Sequence, residues 1–240
     1  MTINLLFPVL NERLRLANGI ERCVAYVREN VDIPCTLTII DNGSDDETPE
    51  IARSLEAKYE EVEYVRIEER GVGIAFKTGI ERTTADIVGY MDIDLSTDLK
   101  YLSETISLFE NDKELMYVNG TRFSKDSDTR GRKWYRKITS AGLVFLLKTR
   151  FKMKASDALC GFTLLRTPLA KELVEQCSDD HGWFYTVEFL LRAERMGVKI
   201  IDMPVEWVED YNTTVKVWKT IKNYIKQMHR LKKVFRQEGR

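Results

Sequence analysis

The chain has 240 residues, 43% of them hydrophobic and 31% charged, which supplies one large core and excludes a chain disordered as a whole. A formal net charge of -1 conceals an asymmetry, because residues 1–120 carry 12 Lys and Arg against 24 Asp and Glu, and residues 121–240 carry 25 against 14. One end of the molecule is therefore expected to handle cations and the other anions, and Cys23, Cys35, Cys160 and Cys177, with no C-x-x-C pair and only His181 and His229 beside them, argue against a structural zinc or a disulfide framework.

The first apolar run, 3–9, has no basic flank and no small-residue cleavage site, so it reads as a strand and not as a signal peptide. Helical spacing follows over 14–29, a strand over 36–40, a helix over 49–59 and a strand over 62–67. The alternation continues with a helix at 74–82, a strand at 86–91, a helix at 101–110 and a strand at 115–119. Repetition at this spacing predicts an α/β fold, a mostly parallel sheet flanked by helices, whose ligands bind beyond the carboxyl ends of the strands. After a polar stretch at 121–133 come a helix at 135–149, a strand at 162–165, helices at 168–175 and 184–196, and strands at 199–202 and 205–208. Residues 214–236 predict a basic amphipathic helix. The expected organisation is one domain, 1–212, divided into halves at 120, plus a terminal helix at 213–240. Apolar stretches such as 141–147 fall far short of the roughly 20 residues that span a bilayer, so a cytoplasmic protein, soluble or resting on a membrane surface, is expected.

Polar residues directly after strands carry the chemistry. Asn11 and Glu12 follow the first strand, and Asp41-Asn42-Gly43-Ser44-Asp45-Asp46-Glu47-Thr48 follows the second. A carboxylate there can accept from a base or a ribose hydroxyl, and Gly43 lets backbone approach a ligand, although Asp and Thr also cap helices. The fourth strand runs into Asp92-Ile93-Asp94-Leu95-Ser96, which places two carboxylates on one side of an extended segment. They repel unless a cation lies between them, and hard oxygen ligands favour Mg²⁺ or Mn²⁺ bridging to a diphosphate. Arg70 and Gly71 precede a helix start suited to phosphate, but the Gly spacing does not match a dinucleotide fingerprint.

Taken in order, these segments resemble glycosyltransferase family 2. Asn119-Gly120-Thr121-Arg122, Asp157-Ala158-Leu159-Cys160-Gly161-Phe162, 183–193 and 201–207 are similar to its branch of dolichyl-phosphate mannose synthases and bacterial polyprenyl-phosphate glycosyltransferases. The resemblance extends to about residue 220. It implies a GT-A fold and inverting transfer from a UDP- or GDP-sugar, with Mg²⁺ or Mn²⁺ held by Asp92 and Asp94. It also implies that Pro8, Asn11 and Glu12 line the nucleotide pocket, that Asp41 and the Gly43 turn lie near the base or ribose, and that Arg70 and Lys77 contact nucleotide or phosphate. Ser96 stands where several relatives carry Gln, Arg122 is placed near the donor sugar or phosphate, and Asp157 on the acceptor side.

A polyprenyl phosphate acceptor is already ionised near neutral pH and needs no base, whereas a saccharide hydroxyl needs one, and Asp157 is the candidate. Glu188 occupies the family's helix carboxylate position, with Thr186 where Asp is common, and Lys216 is a candidate phosphate contact. Residues 122–154 hold 11 Lys and Arg against Asp126 and Asp128, interleaved with aromatics. That composition and the basic terminal helix fit peripheral attachment to an anionic membrane at the inner face of the cell membrane. No nucleic-acid-binding signature accompanies the charge, and a nucleotidyltransferase loop is missing after the first strand. A non-catalytic nucleotide-sugar binder is the remaining alternative.

Overall fold

A computed structural model describes residues 1–129, 131, 133–178, 181–208 and 217–239, with backbone alone at 217–219. Among these residues the chain forms β1 (Ile3–Val9), α1 (Leu16–Asn30), β2 (Cys35–Asn42), α2 (Thr48–Lys58), β3 (Val62–Ile67), α3 (Val72–Arg82), β4 (Ile87–Met91) and α4 (Lys100–Asn111). It continues through β5 (Tyr117–Thr121), α5 (Trp134–Phe151), β6 (Phe162–Arg166), α6 (Thr167–Gln176), α7 (Phe184–Arg195), β7 (Ile200–Pro204) and α8 (Val217–Gln237).

The strands form one sheet in the order β3-β2-β1-β4-β6-β5-β7. Alternation along β1 shows how the sequence builds it: Ile3, Leu5, Phe7 and Val9 belong to one core with α1, α2 and α4, and Leu6 belongs to the other with α3, α6 and α7. All pairings are parallel except those of β6, which runs opposite to β4 and β5. Met91 faces Phe162 across that reversed pair, so the start of β6 lies at the rim where β4 ends. Chain order reverses between β1 and β4, which makes the carboxyl ends of these neighbours the expected binding crevice.

The expected strand at 205–208 is a correction. Its residues make isolated bridges, Trp207 with Thr97 and Glu206 with Asp128, because their backbone is used to tie loops together. Val208 N–H donates to Ser96 O at 2.8 Å and Trp207 N–H to Asp128 O at 2.7 Å, so this strap joins the loop after β4 to the loop after β5.

The expected terminal helix forms as α8. Its apolar stripe is spent inside the protein, with Tyr224, Met228, Leu231 and Phe235 all buried. Tyr224 meets Phe184 edge to face at 5.5 Å, and Phe235 meets Phe151 at 5.9 Å. Fully buried Glu188 on α7 fixes the arrangement, accepting from Ser178 Oγ at 2.7 Å, Arg192 Nε at 3.0 Å and Arg230 Nη2 of α8 at 2.5 Å. These cations and the Ser178 donor outweigh burial and hold the Glu188 carboxyl below its ordinary range. Glu188→Gln keeps the shape and loses the charge, so it is expected to cost about 1–3 kcal/mol and to speed hydrogen exchange in α8 before the sheet. Lys216 and the 212/213 boundary lie outside the described residues.

Candidate active site

The loops after β1 and β2 are laced together at the crevice. Asn11 adopts a left-handed backbone (φ 57°), which Asn tolerates better than most residues, and its N–H donates to Ser44 Oγ at 2.9 Å. Its side chain exchanges two hydrogen bonds with Asp45, through Nδ2 to Oδ1 at 2.7 Å and from Asp45 N–H to Oδ1 at 2.9 Å. Arg70 Nη2 donates to the other oxygen of Asp45 at 2.9 Å, so Asn11 and Arg70 share one network. Glu12 N–H donates to Thr48 Oγ1, and its carboxylate is held by Arg15. Gly43 has φ 83°, and Gly71 supplies the start of α3 with φ 145°, where a Cβ would lie 2.0 Å from His181 O.

Asp41 is fully buried and occupied. It accepts from Ser44 N–H at 2.8 Å, Tyr64 Oη at 3.0 Å and Arg66 Nη1 at 2.9 Å, so in this arrangement it shapes the β2 loop. Tyr64 and Arg66 were not legible as its partners, since the sequence offered them only as members of the strand at 62–67. Pro8 lies in β1 opposite Ile40, and Lys77 is half-buried on α3.

The paired carboxylates follow β4 in a turn, closed by Leu95 N–H donating to Asp92 O at 3.1 Å, and not on the extended segment expected from the sequence. Asp92 accepts from Tyr90 Oη at 2.5 Å on one oxygen, and its other oxygen lies against Gly161, where a Cβ would be 1.7 Å away. Glycine at 161 is therefore the condition for Asp92 to stand here. Burial, then the charge of Asp94, pushes the Asp92 carboxyl up to about 6, against the opposing pull of Tyr90 and Arg122. Asp94 accepts from Ser96 N–H at 2.9 Å across a turn in which Leu95 has φ 50°. Ser96 Oγ is buried without a hydrogen-bond partner.

Two repelling carboxylates, one with a raised pKa, beside an orphaned hydroxyl form an all-oxygen donor set that fits a hard divalent cation. Among the described residues no third acidic, His or Cys side chain completes a cluster, which suits Mg²⁺ or Mn²⁺ sharing its remaining positions with phosphate and water.

Arg122 and Asp157 form a buried pair whose cation acts electrostatically on Asp92. Arg122 donates through Nε to Oδ2 at 2.8 Å and through Nη2 to Oδ1 at 3.2 Å, and stacks over the Trp207 ring at 5.4 Å. Asp157 also accepts the N–H of Arg122 at 3.2 Å and of Leu159 at 2.8 Å. Four donors fill its acceptor positions, and although burial pushes the other way, the Arg122 charge leads the effects that hold its carboxyl below the usual range. A carboxylate so held is a poor proton acceptor. Tyr90, Gly161 and Trp207 belong to this site by hydrogen bond or packing, and the sequence offered each only as a member of a longer segment.

Residues 5–174 match the model of Glycosyl transferase family 2. Glycosyltransferase AglD of Haloferax volcanii is 28% identical over 91% of this chain, which spans 35% of that protein's length. A dolichyl-phosphate beta-glucosyltransferase of Trichomonas vaginalis, ALG5D, is 23% identical over 92% of this chain and 70% of its own length. Among solved structures, glucosyl-3-phosphoglycerate synthase from Mycobacterium tuberculosis in complex with Mn²⁺, UDP and phosphoglyceric acid superposes with a TM-score of 0.67. That match has 17% identity and covers 95% of this chain and 75% of that one. The same synthase with Mg²⁺ and UDP gives 0.63 at 18% identity, over 89% of this chain and 72% of that one. With its crevice at the β1/β4 reversal and its acidic pair at the end of β4, the chain has the GT-A fold and belongs to glycosyl transferase family 2.

Proposed function

We propose that the chain transfers one sugar, with inversion, from a UDP- or GDP-sugar to a polyprenyl phosphate at the cytoplasmic face of a membrane. The relatives named for dolichyl phosphate support the acceptor class, and the synthase structures holding UDP with Mn²⁺ or Mg²⁺ support the donor and metal classes. The observation that carries the choice of acceptor is the engagement of Asp157. A hydroxyl acceptor must give up a proton, and the carboxylate placed to receive it is saturated by Arg122 and two backbone N–H groups. A phosphate monoester attacks already ionised.

In this reading Asn11, Glu12, Gly43 and Arg70 shape the nucleotide pocket, Asp41 holds its β2 wall, and Lys77 serves the phosphate side. Asp92 and Asp94 hold Mg²⁺ or Mn²⁺, which when bound supplies positive charge to the departing nucleoside diphosphate. Arg122 presents its charge at the β5 end of the crevice, and Asp157 positions it.

Asp92 gives this reading a pH signature. Because its carboxyl rises to about 6 in the fold, it keeps its proton where the unfolded chain has already lost one. The cation-free protein therefore loses stability as pH rises from the ordinary carboxylate range through about 6. Metal affinity changes in the opposite sense, falling about tenfold per pH unit below 6, where a proton competes for the ligand. Melting curves in chelator and in Mn²⁺ across this window check both slopes. The function itself is tested by offering a panel of UDP- and GDP-sugars with undecaprenyl phosphate, with and without Mn²⁺. Metal-dependent glycolipid is the expected product, and product on a saccharide hydroxyl alone rejects the lipid-phosphate reading.

A further inference from the structure

We propose that α5 docks this chain on an anionic lipid bilayer, its outer apolar stripe entering the headgroup region; the inference rests on the acceptor being a lipid phosphate. Trp134, Ile138 and Phe145 are 73%, 62% and 65% exposed. Together with Ala141 they recur at helical spacing and form one line along the helix. The opposite face, Ser140, Val144 and Leu147, is already buried against the body. A helix that needs one apolar face has two, and among the described residues nothing covers the second.

Charge selects the occupant. Lys137 and Lys148 are exposed on the turns beside the stripe, and residues 122–154 hold 11 basic side chains against two acidic ones. A second copy docking through this stripe would bring two basic faces together, whereas anionic headgroups neutralise them. Four charged residues within the helix fit an orientation along the surface. The exposed ring of Trp134 packs edge to face with Tyr135 at 6.2 Å, and such amphipathic rings favour the headgroup level. Position links the surface to the site, since α5 lies in the segment that leaves the rim at Arg122 and returns to it at Asp157. A lipid phosphate at that rim has its hydrocarbon tail beside α5. In α8 the apolar residues Tyr224, Met228, Leu231 and Phe235 are buried, so among its described residues that helix contributes mainly charge.

The test is flotation of the full chain with phosphatidylcholine vesicles containing or lacking phosphatidylglycerol. The chain is expected to float with the anionic vesicles, and Ile138→Glu/Phe145→Glu to weaken binding about tenfold or more with an unchanged melting temperature. Lys137→Glu/Lys148→Glu is expected to remove the preference for phosphatidylglycerol. Flotation unaffected by the apolar pair overturns the proposal. So does a chain that ignores vesicles and forms a dimer that Ile138→Glu/Phe145→Glu disrupts, which assigns the stripe to a second copy. Vesicle binding as expected, with no transfer to undecaprenyl phosphate, rejects the acceptor reading and leaves the docking surface standing.

Discussion

Asp94→Ala is expected to lower nucleotide-sugar turnover by about 10²–10³-fold while leaving the fold in place. The two effects separate because Asp94 is half-buried and, among the described residues, its side chain's hydrogen bond is to the N–H of Ser96. Losing it weakens a turn and halves the carboxylate charge at the end of β4. Asp92→Asn makes the contrast sharper. The amide still accepts from Tyr90 Oη and still fits beneath Gly161, but it no longer carries a charge that burial and Asp94 oppose. In chelator at neutral pH this variant is expected to melt above the parent chain, and to lose both turnover and the stabilisation that Mn²⁺ gives the parent. Calorimetry beside a turnover assay reads both, and a variant that turns over normally would remove Asp92 from the site.

Removing Asp157 has the opposite profile. Asp157→Ala leaves the Arg122 guanidinium, 7% exposed, without its counter-charge, at an expected cost of about 3–5 kcal/mol. In a chain of this size that corresponds to a fall in Tm on the order of 10 °C. Arg122→Met/Asp157→Leu removes both charges and is expected to recover much of the loss, which a single-variant cavity effect would not do. Arg122→Met alone has a further readout. Arg122 pulls the Asp92 carboxyl downward, so its loss is expected to move the acidic limb of the metal-binding profile to higher pH. An unmoved limb would show that the pair acts on the fold and not on the metal site.

Period-2 alternation in β1 and apolar continuity in β2 and β4 made the parallel half of the fold legible, because buried strands and amphipathic helices announce themselves locally. The place of the acidic pair, directly after β4, was legible for the same reason, but the turn that holds Asp92 and Asp94 was not. Partners across the sequence were not. Nothing near Asp41 identifies Tyr64 and Arg66 as the groups that occupy it, and nothing near Asp157 shows that Arg122 takes its lone pairs. Both pairings are made by tertiary approach over more than 20 residues. The 205–208 segment misleads for a related reason: its alternation is that of a strand, but the loops at the crevice claim its backbone first. In α8 the stripe was legible and its destination was not, because an apolar stripe does not say whether it meets protein or lipid.

The reversed direction of β6 makes the segment carrying α5 a closed excursion. It leaves the sheet at Thr121 and rejoins it at Phe162 on the same rim, and the bond between Arg122 and Asp157, 35 positions apart, fastens its two ends together. Beyond that clasp the excursion is still tied to the body, by Asp128 to the 205–208 strap and by Val144 and Leu147 to the second core. Its exposed outer face is therefore the part that can be exchanged while the rim keeps its shape. On the proposed function, acceptor preference would be carried by a face that can change while the donor crevice stays fixed.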